Sequence, residues 1–170
     1  MFTKLPWRYG SIFTITVPII AAMALFSVSC QSFRPEQAGR VLEIRNGDSG
    51  KVYGRWPLEE NGEFSIEFIH SVNQSPVREF YIVENGMIRL WAVRFFSFGA
   101  GMKSDLEGGL TFSRDGDAMV ISGYTTTFKD NELNYIVGTV SDHLLFINGE
   151  TISLRDLCGR NAHINIHLIK

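Results

Sequence analysis

The stretch "FIHSVNQSPVREF" (Phe68–Phe80) sets His70, Ser71 and Glu79 among strand-forming apolar residues, and Arg94 follows in the next apolar run. Imidazole, carboxylate and guanidinium groups serve both anion recognition and acid–base chemistry. Whether these three can act together is a question of strand register. Glu63–His70 and Val77–Glu84 read as a hairpin with Ser71–Pro76 as its loop, so that His70 lies opposite Val77 and Phe68 opposite Glu79. A second hairpin through Asn85-Gly86 pairs Tyr81 with Leu90, Glu79 with Ala92 and Val77 with Arg94. In that register His70, Glu79 and Arg94 gather at one end of a face that also carries Phe64, Ile66, Phe68, Tyr81 and Val83. Cross-strand diagonals would separate their backbones by roughly 7 to 8 Å. A slip of one residue in either hairpin would send them to opposite faces.

Such a cluster has three uses. As structure, Glu79 and Arg94 form an ion pair that His70 supports at the rim of the core, and pairs of this kind commonly carry no chemistry. As a binding site, Arg94 and His70 form a cationic recess for a small carboxylate, with Glu79 orienting Arg94. As an enzyme, His70 and Glu79 act as acid and base in a hydrolysis. The adjacent Ser71 is a poor nucleophile for that third use, because neighbouring strand residues face opposite sides and no nucleophile elbow surrounds it. No catalytic residue is assigned.

Other patterns have plainer readings. "SFGAG" (Ser97–Gly101) holds Gly99 and Gly101 as a phosphate cradle would, but no helix of useful length follows, so a glycine bulge or tight bend is expected. His163 and His167 alternate with Ala162, Ile164, Ile166 and Leu168, which is a strand pattern that sets the imidazoles roughly 13 Å apart, too far for one zinc ion. They are expected on an exposed polar face. Asp115 and Asp117 lack the ligand series of a calcium loop and read as turn residues. Neither metal nor cofactor is expected.

The elements that must position these groups are strands. With 170 residues, 45% of them hydrophobic and 20% charged, the chain has material for one packed domain. A net charge of -2 with scattered Lys and Arg argues against nucleic acid as a partner. Asn-Gly pairs in "RNGDSG", "EENGE", "VENGM" and "INGET" sit between β-prone runs and suit type I′ turns. Eleven short runs between Arg40 and Ile169 predict an all-β, antiparallel sandwich or partly closed barrel.

Before that domain, Tyr9–Phe33 contains no charged side chain, and its apolar heart Ile12–Val28 approaches the roughly 17 to 25 residues of a spanning helix. Lys4 and Arg8 precede it, which leaves the N-terminus in the cytoplasm and the domain outside. The organisation expected is a membrane anchor or signal segment (residues 1–30), a linker (31–39) and an extracytoplasmic β domain (40–170), in a single-pass protein of the inner or cytoplasmic membrane that faces the periplasm. Two other fates of the leader are a lipoprotein through Cys30 in "FSVSC" and a secreted form cleaved after Ser27-Val28-Ser29. Cys30 and Cys158 are expected to stay unpaired.

The string His70-Ser71-Val72 followed by Pro76-Val77 and Glu79, then "RFFSFGAG" from Arg94 to Gly101, resembles the bacterial domain-of-unknown-function family 1850. The likeness extends over most of Leu42–Leu168 and includes the hydrophobic leader. Its motif positions are Ser71, Pro76, Val77, Ser97, Gly99 and Gly101. Members look like small extracytoplasmic β domains, often encoded beside TAXI-type TRAP transporters, which implies a part accessory to organic-acid transport. Asn73 and Lys103 depart from the family pattern, and the resemblance brings no catalytic residue. The expectation is a non-enzymatic, membrane-anchored domain that contacts TRAP transporter subunits or a small carboxylate. A hydrolase using His70 and Glu79 and a purely structural module are the alternatives.

Overall fold

The computed structural model describes residues 39–96 and 108–170. The hydrophobic leader, Cys30, nearly all of the linker, and Ser97, Gly99, Gly101 and Lys103 lie outside the described residues. Among those described, no helix is long and apolar enough to cross a membrane.

Eleven strands form, close to where the turn chemistry divides the sequence. They are β1 (Val41–Asn46), β2 (Val52–Pro57), β3 (Glu63–Ile69), β4 (Pro76–Glu84), β5 (Met87–Phe95), β6 (Thr111–Asp115), β7 (Ala118–Thr127), β8 (Glu132–Ile136), β9 (His143–Ile147), β10 (Glu150–Ser153) and β11 (His163–Ile169). Asn85-Gly86 and Asn148-Gly149 all have positive φ (53° and 73°, 52° and 78°), which is the geometry a type I′ hairpin needs. One helix was not foreseen. Leu154–Cys158 (α1) follows β10 directly, started by Ser153, whose hydroxyl accepts the Asp156 N–H at 3.0 Å.

The strands make two antiparallel sheets, neither closed: β2-β1-β11-β8 and β10-β9-β3-β4-β5-β7-β6. The architecture is therefore a sandwich and not a partly closed barrel. Alternation puts Leu42 and Ile44 of β1, Ile164 and Ile166 of β11 and Leu133 of β8 against Phe64, Ile66, Tyr81, Val83, Ile88, Leu145 and Ile147 of the larger sheet, in one core. A second cluster of Val77, Phe95, Met119 and Ile121 lies on the same inner face. Asn131 helps join the layers, since its side chain accepts the Ile88 N–H at 2.6 Å and donates to the Gly86 carbonyl at 3.1 Å.

Register departs from expectation in two places. In the β3/β4 pair Phe68 faces Val77 and Ile66 faces Glu79, a shift of two residues that preserves faces but takes His70 out of the strand. In the β4/β5 pair Tyr81 faces Leu90 as expected, but Phe80 faces Ala92, so Trp91 is an extra residue in β5. Past this bulge Glu79 faces Val93, Val77 faces Phe95, and Arg94 lies opposite Arg78 on the other face. Against β7 the same point pairs Leu90 with Thr126 and Ala92 with Ser122, and Gly123 supplies the φ of 92° that the irregularity requires.

Ile166 is fully buried at the centre of the smaller sheet. Ile166→Ala is expected to lose ~2–5 kcal/mol of stability through the cavity left behind. A urea midpoint that stays near wild type would mean the two layers do not share this core.

Candidate functional site

The structure does not bring His70, Glu79 and Arg94 together. His70 sits in the loop after β3, where its Nδ1 accepts the N–H groups of Val72 (3.3 Å) and Asn73 (3.4 Å), and its backbone N–H donates to the Ser75 carbonyl at 2.9 Å. Its imidazole holds the loop in shape. Arg94 is turned to the outer face by the Trp91 bulge, donates from Nε to Asp115 Oδ2 at 3.0 Å, and places its guanidinium 5.0 Å from the Phe96 ring centre. Glu79 alone keeps its expected place on the inner face. Neither the Glu79–Arg94 ion pair nor the His70–Arg94 recess for a carboxylate is formed.

The remaining expected positions resolve one by one. Ser71 is exposed, Pro76 opens β4, and Val77 is buried in the second core cluster. Asp115 is the partner of Arg94 as well as a residue beside a turn. His163 is exposed on the outer face of the smaller sheet, as alternation requires, but His167 is not. Its Nε2 lies 3.3 Å from Glu43 Oε1, and Glu43, only 5% exposed, also accepts from Arg55 Nε at 2.7 Å. Burial, with Arg45 next, holds the His167 pKa below its ordinary value, against the pull of Glu43 and Glu132. Cys158 is a free, half-buried thiol whose pKa burial pushes up to about 11.

What the fold does assemble is a carboxyl group among phenols. Glu79 lies in the inner-face row between Ile66 and Val93, and Tyr81, two residues on, donates its hydroxyl to Glu79 Oε2 at 2.7 Å. Tyr81 is itself fixed by stacking on Phe64, with ring centres 4.9 Å apart. Burial raises the Glu79 pKa, and the Tyr81 bond only partly offsets it. Burial first, and the Glu79 charge second, raise the pKa values of Tyr81, Tyr124 and Tyr135 as well. Tyr135 comes from β8 in the opposite sheet, so one carboxylate acts on groups from both layers. Beside Tyr135, edge-on at 5.4 Å, is His143, which also lies 5.3 Å from Phe68. Its Nδ1 is buried without a hydrogen-bond partner among the described residues, and burial lowers its pKa, so the ring is neutral at pH 7.

Chemically, folding favours the protonated form of Glu79, because burial opposes its charge more than the Tyr81 bond supports it. Among the described residues no group of three His, Cys, Asp or Glu side chains is placed to bind a metal ion. Sequence alternation placed Glu79 and Tyr81 on one face, but nothing local linked them to Tyr124, Tyr135 or His143, which arrive from other strands.

These groups fall within one matched segment. The family model described as "Domain of unknown function (DUF1850)" matches residues 64–154, more than half of the chain. The chain belongs to the DUF1850 family. The DUF1850 segment runs from β3 into the start of α1 and contains Glu79, all three tyrosines and His143, while β1, β2 and β11 lie outside it. No curated protein and no solved structure matches the chain.

A carboxyl group whose pKa is raised by folding stabilises the fold below its unfolded pKa of about 4.3, and that contribution is lost as pH rises through the folded value. Thermal unfolding of Glu79→Gln should therefore match wild type near pH 4 and exceed it at pH 8. Parallel curves at all pH values would show that Glu79 is not buried as a charge. Tyr81→Phe removes the one donor to that carboxylate, and a loss of about 1–3 kcal/mol at pH 8 is expected in chemical denaturation.

Proposed function

We propose that this DUF1850 protein is a membrane-tethered, extracytoplasmic β-sandwich that works by contact with a partner, a TRAP-type organic-acid transporter, and not by catalysis. The observation that carries the non-catalytic part is that His70, Glu79 and Arg94 are each committed to a bond within the chain: to a loop backbone, to Tyr81 and to Asp115. His70 lies beyond Ile69 in a loop, and Glu79 is three register positions inside β4, about 10 Å along the strand. A hydrolytic acid and base must both reach one scissile bond, and here His70 is bonded into its loop while Glu79 is bonded to Tyr81 within the sheet. The tether rests on the uncharged run Tyr9–Phe33, and the transporter on the family resemblance.

A contact role is supported by the end of the sandwich that carries the His70 loop. Ile69, Val72 and Val140 are 38%, 67% and 90% exposed there, and Ser141 ties the two loops together by donating to the Ile69 carbonyl at 3.4 Å. Exposed apolar groups on adjoining loops suit a surface that meets another protein.

A phosphatase that is active only after export, fused after Lys170, should be active in cells and lose activity when residues 1–30 are removed. Photo-crosslinking residues at Val72 and Val140 should capture a co-expressed TRAP transporter subunit, while one at the exposed Glu59 should not. Equal capture from all three positions, or capture from none, would reject the accessory role.

A further inference from the structure

The outer face of the larger sheet carries a groove of about 280 Å³ with Ser65 in it, Phe80 and Phe146 beside it, and Glu63 and the Asn148-Gly149 turn at its rim. Register explains its shape. Ser65 sits in one cross-strand row between Phe146 of β9 and Phe80 of β4, so a small residue is flanked by two rings. Ser65 is only 6% exposed as a residue, and its hydroxyl, which makes no hydrogen bond among the described residues, is open to the groove and not sealed in the core.

The neighbouring row shows what chemistry these walls accept. Glu67 faces Arg78 across the β3/β4 pair, and the guanidinium binds Glu67 Oε2 at 2.9 Å while lying 3.8 Å from the centre of the Phe146 ring. A cation is thus held between a carboxylate and an aromatic face. Glu63 stands on the same face of β3 as Glu67, but Ile82 faces it, so β4 supplies no cation there. Glu63 has no ion pair among the described residues and is exposed, whereas Glu150 pairs with Ile147 and lies on the other face. The groove therefore has the Glu63 carboxylate, ring faces and an unused hydroxyl, all of which accept N–H donors or a positive charge.

We propose that this groove binds a guanidinium group from outside the chain, in the form of an arginine side chain presented by a partner protein. Arginine fits better than lysine, because a planar group with five donors can lie against Phe80 or Phe146 while bonding Ser65 Oγ and Glu63 together. A polypeptide source fits the position of the groove. The β9/β10 turn borders it, and β10 is an edge strand of the larger sheet, so an extended segment can run alongside while one side chain enters. The volume suits a single long side chain, at the small end of the range for ligand pockets. The inference stands whether or not that partner is a transporter, and it concerns a different surface from the Ile69, Val72 and Val140 loops.

The test titrates full-length protein in nanodiscs with a blocked pentapeptide bearing one central arginine, and with matched lysine and citrulline peptides. Calorimetry gives affinity, and the emission of Trp91, whose ring centre is 5.8 Å from Phe80, reports location when compared with Trp91→Phe. The arginine peptide should bind with a Kd on the order of 1 mM and change Trp91 emission. The lysine peptide should bind more weakly, and the neutral citrulline peptide not measurably. Glu63→Gln, at an exposed position, should weaken binding about three- to fivefold, while Glu150→Gln, on the other face, and Glu59→Gln should leave it unchanged. Phe80→Leu should abolish the Trp91 response, with circular dichroism confirming the fold. Equal binding of the citrulline peptide, insensitivity to Glu63→Gln, or a response to free guanidinium chloride but not to the peptide would each overturn the proposal.

Discussion

The extra residue that Trp91 adds to β5 determines which side chains of the central strands enter the core. Before it, Leu90 and Ile88 point inward, and after it Val93 and Phe95 do, so the apolar face continues unbroken across the bulge. The same step turns Arg94 outward to Asp115 and lets Trp91 pack on Phe80, 5.8 Å between ring centres, beside the nearly fully buried Ala92. A strand without the bulge would carry a guanidinium into the sandwich, where desolvation would cost several kcal/mol. The period-2 rule is thus obeyed on each side of Trp91 with opposite phase.

Glu79 is the exception the core tolerates. It sits between the two apolar clusters, raised in pKa by burial, with one short bond from Tyr81 and two further tyrosines within reach of its charge. A half-satisfied polar group inside a sandwich destabilises the fold relative to an apolar one, so its presence calls for a use in proton holding, specificity or partner contact. The smaller sheet handles its polar groups differently. On its outer face Glu43 binds Arg55 and His167, and Glu132 binds Arg45 and Asn165, so that each carboxylate has two partners across strands. The outer carboxylates of the smaller sheet are met by cations and an amide, whereas Glu79 is met among the described residues by the Tyr81 hydroxyl.

Two surfaces remain for work outside the fold. The loop end of Ile69, Val72 and Val140 is apolar, whereas the groove over Ser65 is acidic and aromatic. Their chemistries select different partner groups, so that one partner meeting both would be held at two points. Multipoint contact of this kind raises affinity without any single strong interaction.

Much of the architecture was legible in the amino-acid order. Asn85-Gly86 and Asn148-Gly149 make the expected turns with both residues at positive φ, whereas Asn61-Gly62 does so only at Asn61 and Asn46-Gly47 at neither, and alternation between turns marked eleven strands and an all-β fold. The face of Glu79 and Tyr81 was legible for the same reason, since a two-residue change of register leaves faces intact. Order alone could not fix the phase past Trp91, because an inserted residue looks like any other until two strands are paired. Nor could it find Tyr135 near Glu79, His143 beside Tyr135, or Phe146 beside Ser65, because those neighbours come from strands distant in the chain and meet only when sheets form and stack. Local spacing determined the strands and their turns; pairing between strands decided which polar groups share a site.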